Sequence, residues 1–283
     1  MIKGIDVSSH QDRIDWGRVK TDGIDFAYIK ATEGVGFVDP KLGAFAAGAR
    51  EAGIPHGFYH FARPDTHSGT TAQTAVGDAQ AEADSFLSVA FPRRGELLPV
   101  LDLEVGGLPA RLLVQWVKAW LNRVHERAGV LPIIYTYPAF WSQMGNSTQF
   151  GSYKLWIANY GVSAPHLPAG WRSYTIWQYS SSGSVTGIAG RVDVDRLADG
   201  VTLAQITIRP APTPAPEQNL PGPVPKPDWF WVWARWRLGV AEFEGLQQNR
   251  GVRPDEAPER IPQWAWQSLT KLSEKPPTPT PTP

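Results

Sequence analysis

The stretch Leu97-Leu98-Pro99-Val100-Leu101-Asp102-Leu103-Glu104 is an apolar run that ends in two carboxylates set two residues apart. The run predicts a buried β-strand, in which successive side chains point to opposite faces. Asp102 and Glu104 therefore project the same way, with backbones roughly 7 Å apart. Cleavage of a glycosidic bond needs two such groups, because one protonates the leaving oxygen while the other assists at the anomeric carbon. The same pattern also fits a strand end that merely becomes solvated.

Seven more stretches read as strands before about residue 205, and helical patterns separate the early ones. The eight predicted strands are Ile2–Asp6, Phe26–Ala31, His56–Phe61, Leu98–Glu104, Pro132–Thr136, Lys154–Ala158, Tyr174–Tyr179 and Arg191–Val194. The predicted helices are Trp16–Thr21, Pro40–Ala52, Thr70–Ala90 and Pro109–Ala128. Because alternating strands and helices indicate a parallel sheet, we predict an α/β fold, an irregular TIM-like (β/α) barrel with eight strands and fewer than eight helices. The last third carries no clear helix, and we expect the irregularity there.

The bulk composition narrows the function classes. Twenty-seven basic residues balance 27 acidic ones, so no net field favours nucleic acid or anionic lipid. The absence of cysteine excludes disulfides, thiol nucleophiles and thiolate metal ligands. The six histidines form no His-Glu-x-x-His arrangement, and no Gly-x-Ser-x-Gly elbow is present. We therefore expect no metal or other cofactor, no nucleic-acid partner and no membrane span.

Acidic side chains recur on other predicted strands. Asp6 ends the first strand, and Asp193 lies in the last strand together with Asp195. Since Asp193 and Asp195 share one strand face, the pattern leaves open which of them points into a site. The loops after barrel strands build the active site, so acids at these strand ends are candidate catalytic groups beside Asp102 and Glu104.

Aromatic and amide side chains surround these acids at the predicted strand ends. Flat rings stack on the apolar faces of sugars, while amides bind sugar hydroxyl groups. Each aromatic residue fits core packing equally well. The candidate substrate-binding residues from this pattern are Tyr59, Phe61, Tyr135, Trp156, Asn159, Trp177 and Gln178.

Distinctive sequence blocks occur in order between residue 1 and about residue 205. They are Gly4-Ile5-Asp6-Val7-Ser8-Ser9-His10-Gln11 with Ile14-Asp15-Trp16, Lys30-Ala31-Thr32-Glu33-Gly34, Gly57-Phe58-Tyr59-His60-Phe61, Pro99-Val100-Leu101-Asp102-Leu103-Glu104, Leu155-Trp156-Ile157-Ala158-Asn159-Tyr160, Ile176-Trp177-Gln178-Tyr179 and Val192-Asp193. Together they resemble glycoside hydrolase family 25, the Chalaropsis-type lysozymes, which include bacterial autolysins and phage endolysins. The resemblance implies an N-acetylmuramidase that cuts the β-1,4 bond between N-acetylmuramic acid and N-acetylglucosamine in peptidoglycan, with a cleft at the carboxyl ends of the strands.

The resemblance also implies roles for single residues. The matching positions are Glu104 for the general acid, Asp102 for its partner, and Asp6 and Asp193 for the acids of the first and last strands. We expect Glu104 to be protonated at rest, while Asp102 either steadies the N-acetyl group of the substrate or positions water. Glu33 lies in a matching block and joins the substrate-binding candidates. The family commonly has Asn where this chain has Asp195, and this extra carboxylate either raises the pKa of a neighbour or merely faces a loop.

The expected partner is bacterial peptidoglycan, bound by a monomer. Met1 is followed by Ile-Lys-Gly-Ile-Asp, without the pattern of a secretory signal, so we expect the cell wall to be reached by a route that does not use one. The alternative function is a barrel that binds peptidoglycan without cutting it.

The barrel is predicted to span residues 1–208, and the remaining chain divides into three segments. Residues 209–227 form a proline-rich linker of extended polyproline II type. Residues 228–275 carry six of the 13 tryptophans at helical spacing and predict a helical hairpin of unknown role. Its rings either pack a small core or attach the protein to cell-wall polymer. Residues 276–283 form a Pro/Thr tail.

Overall fold

The computed structural model describes residues 1–65 and 69–209. These residues fall within the first of two units into which the chain divides, Met1–Pro212. The predicted linker from residue 210 onward, the tryptophan-rich module and the Pro/Thr tail lie outside the described residues, so those three expectations stay predictions.

The described residues form nine strands and six helices. The strands are β1 (Lys3–Val7), β2 (Phe26–Glu33), β3 (Phe37–Val38), β4 (His56–Phe61), β5 (Val100–Asp102), β6 (Ile133–Thr136), β7 (Leu155–Ala158), β8 (Ile176–Gly183) and β9 (Val192–Leu197). The helices are α1 (Trp16–Thr21), α2 (Leu42–Glu51), α3 (Ala72–Val89), α4 (Ala110–Ala128), α5 (Pro138–Gln143) and α6 (Leu203–Ile206). Within this part of the chain, no helix has the length and apolar character needed to cross a membrane.

Eight of the strands close into a barrel. The hydrogen-bonded order is β1, β9, β8, β7, β6, β5, β4, β2, and the pairing of β1 with β2 completes the ring. Strand β3 pairs with β2 outside the ring. The predicted eight-stranded α/β barrel with fewer than eight helices is therefore confirmed.

The expectation of a parallel sheet is wrong for one of the eight barrel strands. Strand β9 runs antiparallel to both of its neighbours, β8 and β1, whereas the other barrel strands pair in parallel. Strand β3, outside the ring, is also antiparallel to its partner β2. The physical reason is the connection, because only residues 184–191 separate β8 from β9. A segment this short returns as a hairpin, whereas a parallel crossover needs a dozen or more residues.

Local sequence signals set the bounds of the long helices. Thr71 and Thr74 form a capping box at the start of α3, which satisfies backbone N–H groups that lack a partner in the helix. Helix α4 ends at Gly129, whose φ of 69° is left-handed and suits glycine. The short elements β3, α5 and α6 are not predicted from the sequence. Each spans six residues or fewer.

The interior of the barrel is a packed core rather than a pore. Rings from opposite sides meet inside it, with the centres of Tyr28 and Trp156 4.9 Å apart. Gly4 leaves the space that Phe26 fills, because a Cβ at Gly4 would lie 2.2 Å from the Phe26 ring. The inner buried apolar residues are Phe26, Tyr28, Tyr59, Leu97, Val100, Ile133, Tyr135, Trp156, Ala158, Ile176, Leu197 and Ile206. A ligand can therefore enter only at the rim.

Outside the ring, α3 and α4 pack on the barrel around a buried polar network. Nε2 of His60 lies 2.7 Å from the Glu82 carboxylate, and Nδ1 lies 2.8 Å from the Thr32 hydroxyl. The His60 ring stacks on Trp120, with centres 5.5 Å apart. His60 is fully buried and Glu82 is 1% exposed. This network ties α3 to strands β2 and β4.

We predict that Glu82→Ala lowers the free energy of unfolding by about 3 kcal/mol, because it leaves a buried His60 nitrogen without its partner. The melting temperature should fall by roughly 2–4 °C for each kcal/mol. Gln80→Ala, an exposed change on the same helix, is the control and should stay within about 0.5 kcal/mol of the wild type. Equal unfolding midpoints for Glu82→Ala and Gln80→Ala would contradict a stabilising role for the contact between Glu82 and His60.

Candidate active site

A cavity of 230 Å³ opens at the rim where the parallel strands end. It is small and mostly polar. The residues that line it are Asp6, Ser8, His10, Lys30, Tyr59, Phe61, Asp102, Glu104, Tyr135, Trp156, Tyr160, Gln178 and Asp193. The four acids predicted as catalytic thus line one cavity together, although they come from three separate regions of the chain.

The strand geometry explains how these acids meet. Asp102 is the last residue of β5, and Glu104 follows two residues later on the same side. Asp6 pairs with Asp193 in register across β1 and β9. Because β9 is antiparallel, it begins at the rim where the other strands end, and this places Asp193 at the cavity.

Asp195 resolves the question that the strand pattern left open. Its side chain points inward like that of Asp193, but it lies deeper and is fully buried. The Trp156 indole N–H donates a hydrogen bond of 2.8 Å to its Oδ1. Asp193 is therefore the residue of the pair that lines the cavity, while Asp195 sits beneath it.

Burial raises the pKa values of the clustered carboxyls. The pKa of Asp102 is raised well above its ordinary value by burial and by the charges of Glu104 and Asp6. Burial followed by the charge of Asp193 raises the pKa of Glu104, against an opposing effect of Lys30 and Arg63. Desolvation disfavours the charged form, and like charges add to that penalty. The cluster therefore retains protons at a pH where free carboxylic acids have lost them.

The pKa of Asp6 is likewise raised well above its ordinary value, by burial and then by Asp193. Burial raises the pKa of Asp193, and His10 acts in the opposite sense. Asp102 and Glu104 differ in access, since Asp102 is 7% exposed and Glu104 is half-buried at the rim. Within the described residues the Glu104 carboxyl accepts no hydrogen bond, and Asp102 Oδ1 is buried without a partner.

Two cationic side chains, Lys30 and Arg63, lie on the side of the cavity formed by β2 and β4. Lys30 Nζ lies 4.7 Å from the centre of the Phe61 ring, and the Arg63 guanidinium carbon lies 4.8 Å from it. Glu33 forms ion pairs with both Lys30 and Arg63. Glu33 itself is not among the described residues that line the cavity. It pairs with the two cations that border the cavity.

The remaining predicted substrate-binding residues divide between the cavity and the barrel exterior. Tyr59, Phe61, Tyr135, Trp156 and Gln178 line the cavity. Asn159 and Trp177 are absent from the described lining residues.

Their placement follows from the backbone. Trp177 precedes Gln178 in β8, so the alternation of the strand turns its ring outward, where the Arg196 guanidinium carbon lies 4.3 Å from the ring centre. Asn159 Oδ1 accepts a hydrogen bond of 2.9 Å from the His166 backbone N–H. Asn159 therefore holds a loop in place.

Four lining residues were not among the sequence candidates, namely Ser8, His10, Lys30 and Tyr160. The strand pattern contains a signal for Lys30, because it shares the inward face of β2 with Phe26 and Tyr28. Ser8, His10 and Tyr160 lie in loops after strands, where no periodicity indicates direction. Across residues 1–65 and 69–209, no group of three or more acidic or histidine side chains is arranged to hold a metal ion.

A rim cavity with paired carboxylates on a closed α/β barrel is typical of glycoside hydrolases. The sequence profile of Glycosyl hydrolases family 25 matches residues 5–188. The chain therefore belongs to glycosyl hydrolase family 25.

Individual relatives agree with this membership. Lysozyme M1 of Streptomyces globisporus is 39% identical over an alignment of 204 residues, and the match covers 68% of this chain and 66% of that protein. The N,O-diacetylmuramidase of Chalaropsis sp is 35% identical over an alignment of 220 residues, and the match covers 70% of this chain and all of that protein. The crystal structure of the bacterial lysozyme from Streptomyces coelicolor matches with a TM-score of 0.65 at 35% identity, covering 72% of this chain and 94% of that one. The chain thus spans just under two thirds of the length of Lysozyme M1.

We predict that Glu104→Gln raises the melting temperature at neutral pH. Glu104 binds its proton more tightly in the folded chain than in the unfolded chain, so the free energy of unfolding falls as pH rises from about 4.5 through the raised pKa. An amide removes that penalty, and the difference between the two proteins should shrink as the pH is lowered towards 4.5. Thermal melts across this range measure it, with Glu126→Gln on the exposed face of α4 as the control. A variant that melts below the wild type at neutral pH would refute the inference.

Proposed function

We propose that this protein is a lysozyme that hydrolyses the β-1,4 bond between N-acetylmuramic acid and N-acetylglucosamine in bacterial peptidoglycan. The single observation that carries the proposal is the pair Asp102 and Glu104 in the rim cavity. The names of the relatives, lysozyme and N,O-diacetylmuramidase, support the substrate class. We further propose that the protein acts on the bacterial cell wall as a monomer.

Glu104 is the proposed general acid. Its half-buried position at the rim lets a polysaccharide reach it, and no described side chain occupies its carboxyl. Burial and the charge of Asp193 raise the pKa of Glu104, which favours the protonated form that a general acid needs in order to donate to the glycosidic oxygen. Lys30, which lowers that pKa, balances the charge left after the proton has gone.

Asp102 is the proposed assistant at the anomeric carbon. Its buried Oδ1 lacks a partner and is available to orient either the N-acetyl group of the substrate or an attacking water. The first product distinguishes these two routes. Participation of the N-acetyl group gives the β-anomer, because the configuration is inverted twice, whereas direct attack by water gives the α-anomer. Proton NMR at early times records which anomer forms.

The rings and amides of the cavity are the proposed substrate contacts. Tyr59, Phe61, Tyr135 and Trp156 offer apolar edges to a sugar, and Gln178 offers a polar one. Asp6 and Asp193 complete the acidic wall and act on the protonation of the pair, since their charges raise the pKa values of Asp102 and Glu104 respectively.

We predict that Glu104→Gln lowers the release of new reducing ends from purified peptidoglycan by about 100- to 10,000-fold, because general acid catalysis contributes that much. Asp102→Asn should also lower it strongly. Circular dichroism should show both variants folded. Mass spectra of the wild-type digest should contain fragments that end in reducing N-acetylmuramic acid.

Asp199→Asn is the matched control, since Asp199 is exposed near the end of β9. Near-normal turnover by Glu104→Gln would refute the role of Glu104. A wild-type protein that sediments with peptidoglycan but releases no reducing ends would favour binding without cleavage.

A further inference from the structure

Asp195 is a buried acid that the proposed chemistry does not use. It is fully buried, with Gly4 and Gln178 as its neighbours across the two adjoining strands. Its Oδ1 accepts the Trp156 indole N–H, but its Oδ2 is buried and receives no N–H or hydroxyl donor from the described residues. An ionised carboxylate with an empty buried oxygen is costly, so the atom needs an explanation.

The hydrogen bonds around Asp6 have a fixed direction. The hydroxyls of Tyr135 and Tyr160 donate to Gln178 Oε1, at 2.9 and 2.5 Å. The Gln178 amide nitrogen is therefore turned towards Asp6 and donates to its Oδ2 at 2.7 Å. Asp6 is thus a hydrogen-bond acceptor in this network, and accepting a hydrogen bond favours its charged form.

The inward side chains of Asp6 and Asp195 are neighbours on the paired strands β1 and β9, since Asp195 lies opposite Gly4, two residues before Asp6, and the charge of Asp6 acts on Asp195. Two carboxylates are both acceptors, so a hydrogen bond between them requires one proton. Asp195 is the more deeply buried partner, and Asp6 already receives the Gln178 amide. The proton therefore belongs on Oδ2 of Asp195, the atom that otherwise has no partner.

We propose that Asp195 is a positioning residue that carries a proton on Oδ2 and donates it in a hydrogen bond to Asp6, so that the pair holds one negative charge and Asp6 keeps a fixed orientation in the wall of the cavity. The proposal rests on the proposed lysozyme function only for its effect on turnover. The protonation itself is a property of the fold.

The surroundings of Asp195 oppose its ionisation. Burial raises its pKa well above the ordinary value, and the charge of Asp6 on β1 adds to this more than that of Asp193 on β9. The charge of Asp195 in turn raises the pKa values of Tyr28 on β2 and Tyr179 on β8. The Trp156 N–H acts in the opposite direction. Loss of the proton at high pH would put two charges side by side and release Asp6 from its donor.

The test uses the full-length protein and the variants Asp195→Asn and Asp195→Ala. An amide of the same shape can donate N–H to Asp6 and accept the Trp156 N–H, so Asp195→Asn should keep kcat on peptidoglycan within about threefold of the wild type. Asp195→Ala should lose about 100-fold in kcat with little change in KM, because Asp6 is no longer held.

A second measurement does not depend on activity. The infrared C=O band of a protonated carboxyl should be present in the wild type at neutral pH and weaker by one group in Asp195→Asn. Asp199→Asn, which removes an exposed carboxyl four residues later, should not change the band.

Two results would overturn the proposal: equal losses of kcat in Asp195→Asn and Asp195→Ala, or an unchanged infrared band in Asp195→Asn. A wild type without activity on peptidoglycan refutes the proposed function instead, and the infrared comparison still decides where the proton lies. The same comparison decides it if Asp195→Ala fails to fold.

Discussion

Closure of the barrel by one reversed strand is the constraint on which the site depends. Because β9 runs antiparallel between β8 and β1, it starts at the rim where seven other strands end. The register then sets Asp193 opposite Asp6, and alternation sends Asp195 inward one layer deeper. A parallel ninth strand would carry these two acids away from the rim. The hairpin between β8 and β9 therefore builds the acidic wall without a helix.

The crowding that results is costly, and the structure offsets the cost with donors. Five carboxyls with raised pKa values share the upper interior of the barrel, where charge is poorly solvated. Among the described residues Lys30 is a cation that lines the cavity, while the Trp156 indole and the Gln178 amide donate to Asp195 Oδ1 and Asp6 Oδ2. Such a cluster lowers stability in favour of chemistry, because each acid with a raised pKa makes the folded chain less stable as the pH rises above the ordinary pKa of a free carboxylic acid.

Much of this arrangement could be predicted from the sequence, since period-two alternation is a strong signal wherever a strand is long enough. The alternation correctly places Asp102 and Glu104 on one side. The same alternation turns Trp177, the neighbour of Gln178, outward, which contradicts the prediction that Trp177 lines the site. Glu33 follows a register shift between Lys30 and Thr32, which no local residue pattern reveals. The reversal of β9 and the loop positions of His10 and Tyr160 depend on tertiary closure, so a reading of single segments misses them.

The depth of the acids also constrains how a polymer can be handled. A cavity of 230 Å³ is smaller than the roughly 300–1,000 Å³ of sites that enclose a whole ligand. A polysaccharide must therefore lie across the rim and present only a short part of itself to the interior. In the mechanism proposed above, the half-buried Glu104 would meet the bridging oxygen first, and the more deeply buried Asp102 would act on the sugar ring that enters furthest. The two carboxyls thus differ in depth in the way that a division of labour across one glycosidic bond requires.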